Sequence, residues 1–161
     1  MTRLEITRGH VEAASAVLIA AATALEARGE PLWQSASLTP ERLLRHYPAG
    51  SWRVALQDDR PVACLSLHDA DPLFWPDDAP GTALYLHKLA VHPDAQGQGL
   101  SGWMLDRAAH EVRERGLSAL KLDAMTSRPK LRALYETYGF DRVGERRVLD
   151  FDVTLYSLHV H

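Results

Sequence analysis

Leu89-Ala90-Val91-His92-Pro93-Asp94-Ala95-Gln96-Gly97-Gln98-Gly99-Leu100-Ser101-Gly102 decides the fold: an apolar run breaks into a glycine-rich turn and then enters a helical pattern. Glycine lets a backbone turn tightly and approach a ligand closely. A helix start adds N–H groups and the positive end of a dipole. The layout suits an anionic phosphate without a lysine. A Walker loop would end in Gly-Lys-Ser/Thr, and a dinucleotide fingerprint would follow the first strand, with an acidic residue about 20 positions on. The chain has neither. The plain alternative is a strand-to-helix turn that uses glycine for geometry alone.

Working outward from this turn, Leu100, Met104, Ala108 and Val112 repeat at helical spacing until Gly116, and residues 119–124 read as a strand. Thr126-Ser127 with Pro129 opens another helix, with Leu131, Leu134, Tyr135 and Tyr138 as its apolar face and Gly139 as its stop. Residues 143–148 and 151–160 alternate as a final antiparallel pair. Upstream, a strand over 83–91 follows a proline-rich loop over 71–81. Strands over 52–56 and 62–68 are joined through Asp58-Asp59-Arg60-Pro61. Thr39 caps a helix running to 47, and an Ala-rich helix over 10–28 follows a short strand over 4–7.

A chain of 161 residues is of single-domain size, and a single domain over 1–161 is expected. The formal charge of −3 carries no basic run, so the footprint of a nucleic-acid binder is missing. Cys64 is the one cysteine, which excludes an internal disulfide and a cysteine-based zinc site and suits a reducing cytoplasm. The small and apolar run over 13–25 mimics a secretory leader. Glu5 and Glu12, and a helical face at Val11, Ala14, Leu18, Ala21 and Leu25, favour an amphipathic helix instead. The run is too short to span a bilayer, so no membrane association is expected.

Val91-x-Pro93 followed by Gln96-Gly97-Gln98-Gly99-Leu100 resembles the acyl-CoA pyrophosphate loop of the GNAT N-acetyltransferase superfamily, Gln/Arg-x-x-Gly-x-Gly/Ala, with Ser101 departing from the final position. Leu134-Tyr135-Glu136-Thr137-Tyr138-Gly139-Phe140 is similar to the family's second motif, Tyr-x-x-x-Gly-Phe. The resemblance implies the GNAT fold, an α/β (α+β) arrangement with a mixed, mostly antiparallel central sheet and helices on both faces. It also implies acetyl-CoA as co-substrate and direct transfer of its acetyl group to a primary amine in a ternary complex. The acceptor would be a small-molecule amine or a peptide N-terminus, and the protein a monomer or homodimer. A non-catalytic acyl-CoA-binding module is the alternative.

By the same resemblance, Gln96, Gly97, Gln98, Gly99, Leu100, Ser101 and Gly102 hold the pyrophosphate, and the main chain of Leu89, Ala90 and Val91 pairs with the pantetheine arm as an added strand would. Tyr135 takes the place of the general acid. A phenol of pKa about 10 donates to a thiolate of pKa about 8.5 only where geometry and low dielectric favour it. Its alternative role is that of a core aromatic, and Tyr138 is the second choice. Many members carry an asparagine where this chain has Arg128, which either meets a CoA phosphate or stands solvated at a helix start. The family often places a glutamate near Tyr85, and it is absent here. His87 is then the candidate base, sharing a face with Tyr85 and Leu89, against a role as an ordinary strand histidine. Glu26, His68, Asp69 and Asp71 are weaker candidates, read as solvent-facing or loop-capping. Trp33, Trp75 and Tyr85 are candidates for an acceptor pocket, with the tryptophans otherwise plugs over the core. The eight histidines form no helical His-x-x-x-His pair, and no metal is expected.

Overall fold

A computed structural model describes residues 3–161. The chain runs β1 (Leu4–Arg8), α1 (Val11–Ala27), α2 (Pro40–His46), β2 (Trp52–Gln57), β3 (Arg60–His68), β4 (Ala83–Val91), α3 (Leu100–Glu114), β5 (Ala119–Met125), α4 (Pro129–Tyr138), β6 (Asp141–Val148) and β7 (Phe151–His159). The strands form a mixed, mostly antiparallel seven-stranded sheet in the order β1-β2-β3-β4-β5-β7-β6, with β4 and β5 parallel. The element order and fold class read from the sequence are those observed. No helix among the described residues is long and apolar enough to cross a membrane. The chain divides into two compact units. One holds the chain through Leu67 together with Lys88–Leu105, and the other holds His68–His87 and Asp106–His161.

In the first unit α1 packs on α2 and β2. Val11, Ala14 and Leu18 are buried as expected, but the stripe then continues through Val17 and Ala22, leaving Ala21 and Leu25 half-buried. An Ala-rich helix is apolar on several sides, so its composition does not choose the buried face; α2 and β2 choose it. The Ser15 hydroxyl, itself buried, donates to the Leu38 carbonyl at 2.6 Å. Thr39 caps α2 as expected, accepting the Arg42 N–H. The β2–β3 turn is tighter than the four residues expected. Asp58 (φ 50°) and Asp59 (φ 68°) make it alone, and Arg60 and Pro61 already belong to β3. Aspartate tolerates left-handed backbone, which a two-residue hairpin turn of this twist requires.

In the second unit β5 pairs with β7 along its whole length, and β6 closes a hairpin on β7. Pairing of β4 with β5 covers Ala83–Tyr85 and stops there, although β5 runs on to Met125. The start of α4 departs from expectation: Arg128, not Thr126 or Ser127, occupies the cap position. Thr126 is committed elsewhere, its N–H donating to Asp152 O at 2.9 Å and its hydroxyl pairing with that of Thr154 at 3.0 Å. Pro129 and Gly139 bound the helix as the sequence indicated.

Leu18 is fully buried, so Leu18→Ala is expected to cost about 2–5 kcal/mol. Leu25→Ala, at the half-buried end of the same helix, is expected to cost less than about 1.5 kcal/mol. Urea titrations of the two variants check the corrected face.

Candidate active site

The glycine turn lies in the first unit. Pro93–Ala95 forms a single 3₁₀ turn, capped by the His92 ring, which accepts the Asp94 N–H at 3.1 Å. Gln96 turns back and donates through Nε2 to the Val91 carbonyl at 3.2 Å, fastening the turn to the end of β4. Gln98 is held by Gln57 at 3.0 Å. Gly97 (φ 81°) and Gly99 (φ 74°) are both left-handed, and a Cβ at either would meet nothing within 4 Å. Backbone conformation, not crowding inside the protein, demands glycine there. The first bond into α3 runs from Trp103 N–H to Gly99 C=O at 3.1 Å. The amides just before it are those a helix start offers to an anion, so the turn fits a diphosphate. Leu100 is buried and anchors the helix, Ser101 and Gly102 are half-buried, and 96–99 are exposed. Ala90 and Val91 are buried and Leu89 half-buried on the last residues of β4.

The second unit gathers the ionisable groups. His87 Nε2 lies 2.9 Å from Asp71 Oδ2, and the other Asp71 oxygen accepts the Phe74 N–H at 3.3 Å. Asp71 is thus loop-capping as expected, but it is buried instead of solvent-facing, only 9% exposed. Asp123, on β5, joins them: one donor atom from each of Asp71, His87 and Asp123 lies within 4.8 Å of the others. That set of one nitrogen and two oxygens is the cluster among the described residues with donors suited to a cation. The sequence reading missed Asp123; its signal was a carboxylate alternating with Leu122 and Ala124 in the middle of a strand.

Tyr135 is 5% exposed, with its ring against Phe140 and Tyr156 at centroid distances of 5.7 and 6.1 Å. Burial first, and the Asp123 carboxylate second, push its phenol well above the ordinary tyrosine range, so it stays protonated. Tyr138 donates instead to Asp106 at 2.6 Å, away from this cluster's residues. Tyr85 is buried and donates to Asp78 at 2.5 Å, while Trp75 packs on Tyr85 and under the Lys121 ammonium, 4.8 Å from it. Trp75 therefore sits in the core, as its plug reading had it. Trp33, in the first unit, is half-buried with the Lys88 ammonium 5.0 Å above its ring. Tyr85 and His87 both reach residues of the 71–81 loop, whereas Leu89 lies beyond Lys88, whose left-handed backbone (φ 58°) interrupts the alternation expected to align all three. Arg128 is half-buried at the start of α4, its N–H on the Met125 carbonyl.

A family model described as the acetyltransferase (GNAT) family matches residues 19–140. An Escherichia coli protein named [ribosomal protein bS18]-alanine N-acetyltransferase is 39% identical over 62 residues, 38% of this chain and 42% of that protein. The chain thus aligns with less than half the length of this curated relative. A GNAT-family acetyltransferase structure from Listeria monocytogenes superposes with a TM-score of 0.74 at 19% identity, covering 99% of this chain and 94% of that one. A Salmonella typhimurium structure solved with its cofactor acetyl-CoA gives a TM-score of 0.69 at 17% identity, with coverage of 99% and 94%.

Gly99→Ala forces a side chain into left-handed backbone and is expected to cost about 1–2 kcal/mol and to weaken CoA binding. Gly102 sits inside α3 with open space at its Cβ, so Gly102→Ala is expected to leave thermal stability unchanged or raised by about 0.4–1 kcal/mol. Melting curves and CoA calorimetry of both variants check the assignment.

Proposed function

The chain belongs to the acetyltransferase (GNAT) family, and from that premise we propose that it transfers the acetyl group of acetyl-CoA to a primary amine by direct attack in a ternary complex. Bound acetyl-CoA supplies the acetyl group as a thioester, with a thiolate as leaving group. The Gln96–Gly102 turn holds the pyrophosphate through its backbone amides. The main chain of Leu89, Ala90 and Val91 pairs with the pantetheine arm. The acceptor arrives as an ammonium, and His87, flanked by Asp71 and Asp123, takes its proton. Tyr135 gives its proton to the departing sulfur.

The observation that carries this reading is Tyr135 itself. It is a neutral phenol in a nearly dry aromatic setting, coupled to Asp123 of the cluster that contains His87. A phenol kept protonated by burial is a poor acid toward water. It can still donate to a thiolate brought into the same low-dielectric surroundings. No covalent enzyme intermediate is involved, since Cys64 is buried and its thiol is pushed far up by burial alone. That single buried cysteine also suits a cytoplasmic home. The name of the E. coli relative supports an amine of a polypeptide as acceptor, and a small-molecule amine satisfies the same chemistry.

The test is a screen with acetyl-CoA, following thiol release, against short peptides with free amino termini and small primary amines. Transfer to at least one acceptor is expected. Tyr135→Phe is expected to keep CoA affinity and stability while kcat falls roughly 10²-fold. CoA binding without transfer to any amine would instead make the chain an acyl-CoA-binding module.

A further inference from the structure

Asp71 carries an unanswered oxygen into the interior of the second unit. Its side chain is only 8% exposed; Oδ1 accepts the Phe74 N–H at 3.3 Å, whereas the buried Oδ2 accepts no hydrogen bond. The Asp71 carbonyl accepts the Trp75 N–H at 2.8 Å, so the turn beneath holds the carboxylate in place. Oδ2 faces the His87 ring, 2.9 Å from Nε2, and no hydrogen bond joins the two. Asp123, on β5, completes the group: one donor atom from each of the three residues lies within 4.8 Å of the others. The ammonium of Lys121, on the same strand as Asp123, is held by Asp78 at 2.7 Å.

A carboxylate oxygen withdrawn from water without a donor costs free energy. Here that oxygen faces a ring nitrogen at the separation that ligands of one ion share. Two ligands about 2.1 Å from an ion and at right angles to each other stand about 3 Å apart. An imidazole beside two carboxylates suits a borderline first-row ion, whereas Ca²⁺ and Mg²⁺ prefer oxygen alone. The two carboxylates also match the charge of a divalent ion.

We propose that Asp71, His87 and Asp123 form a binding site for a divalent first-row transition-metal ion of the zinc class. Asp71 Oδ2, one Asp123 oxygen and one His87 ring nitrogen are the ligands, and water fills the remaining positions. The Phe74 and His68 rings, at centroid distances of 6.3 and 5.3 Å from that of His87, flank the nitrogen ligand. The site stands apart from the acetyltransferase reading, and an ion on His87 would withdraw that ring from proton transfer.

Zinc chloride titrated by calorimetry into the full chain, after EDTA treatment and desalting, is expected to give one ion per chain. Asp71→Asn and Asp123→Asn each remove a ligand charge and keep the side-chain shape, and each is expected to weaken zinc at least about tenfold. The melting temperature of metal-free Asp71→Asn is expected to hold or rise, because an unsatisfied buried charge has gone. His159 and His161, with ring centroids 4.5 Å apart, offer zinc a competing site near the end of the chain. A His159→Gln/His161→Gln variant is therefore the control, and its zinc affinity is expected to hold. Nitrogen-15 NMR of the histidine-labelled wild type locates the ion without any variant: one equivalent of zinc is expected to move the His87 ring signals and leave those of His159 and His161.

Zinc affinity that both aspartate variants keep in full, or that the His159/His161 variant abolishes, would overturn the site. So would His87 signals that zinc leaves unmoved. A wild type that binds no zinc, beside a metal-free Asp71→Asn that melts lower, would reduce Asp71 and His87 to an ion pair. None of these readouts passes through acetyl transfer, so a chain that transfers nothing can still bind zinc here, and the two readings fail separately.

Discussion

A lysine in left-handed backbone interrupts β4. Lys88 has φ 58° in the middle of β4, a conformation that costs a non-glycine residue about 1–2 kcal/mol. Its side chain offsets part of that cost, with Nζ 5.0 Å above the Trp33 ring and 5.8 Å from Tyr47. Its carbonyl also receives the Cys64 thiol at 3.7 Å. The strand is thereby divided. Before Lys88, Tyr85 and His87 reach the acidic loop, and Ala83–Tyr85 pair with β5. After it, Leu89–Val91 lead into the turn that Gln96 closes on Val91. The glycine turn thus follows one half of the strand, and the side chains of the other half meet the acidic loop.

A buried charge is costly unless donors surround it. Asp78 accepts from the Tyr85 hydroxyl at 2.5 Å and from the Lys121 ammonium at 2.7 Å, and Trp75 packs against both donors. Burial, then the bond to Asp78, pushes the Tyr85 phenol well above the ordinary range, which keeps it a donor. Asp71 accepts the Phe74 N–H at one oxygen, and its other oxygen lies 2.9 Å from His87 Nε2. The two carboxylates thus pin both ends of the loop, and Asp77, between them, stays exposed.

Elements with strong local signals were legible. Glycines and prolines set the ends of α4 and the start of α3, and alternation set β7. Thr39 capped α2 because a hydroxyl at that position satisfies a helix-start amide wherever the helix packs. Local signals failed where partners lay far along the chain. Thr126 read as a cap but is held by β7, and an Ala-rich helix offered several faces of which α2 and β2 selected one. Asp123 went unnoticed because one acidic residue in a strand has no meaning until His87 and Asp71 are beside it.

The sequence by itself determined the order of elements, the glycine turn and the place of Tyr135 in its helix. Each follows from backbone conformational preference and short-range spacing, which act within a few residues. Tertiary structure alone decided that Tyr135 is buried beside Asp123, that Asp71 faces His87, and that Tyr85 and Trp75 serve the loop as packing. Hydrogen bonding and desolvation act between groups that folding brings within a few ångströms, and no pattern along the chain encodes which carboxylate finds which imidazole.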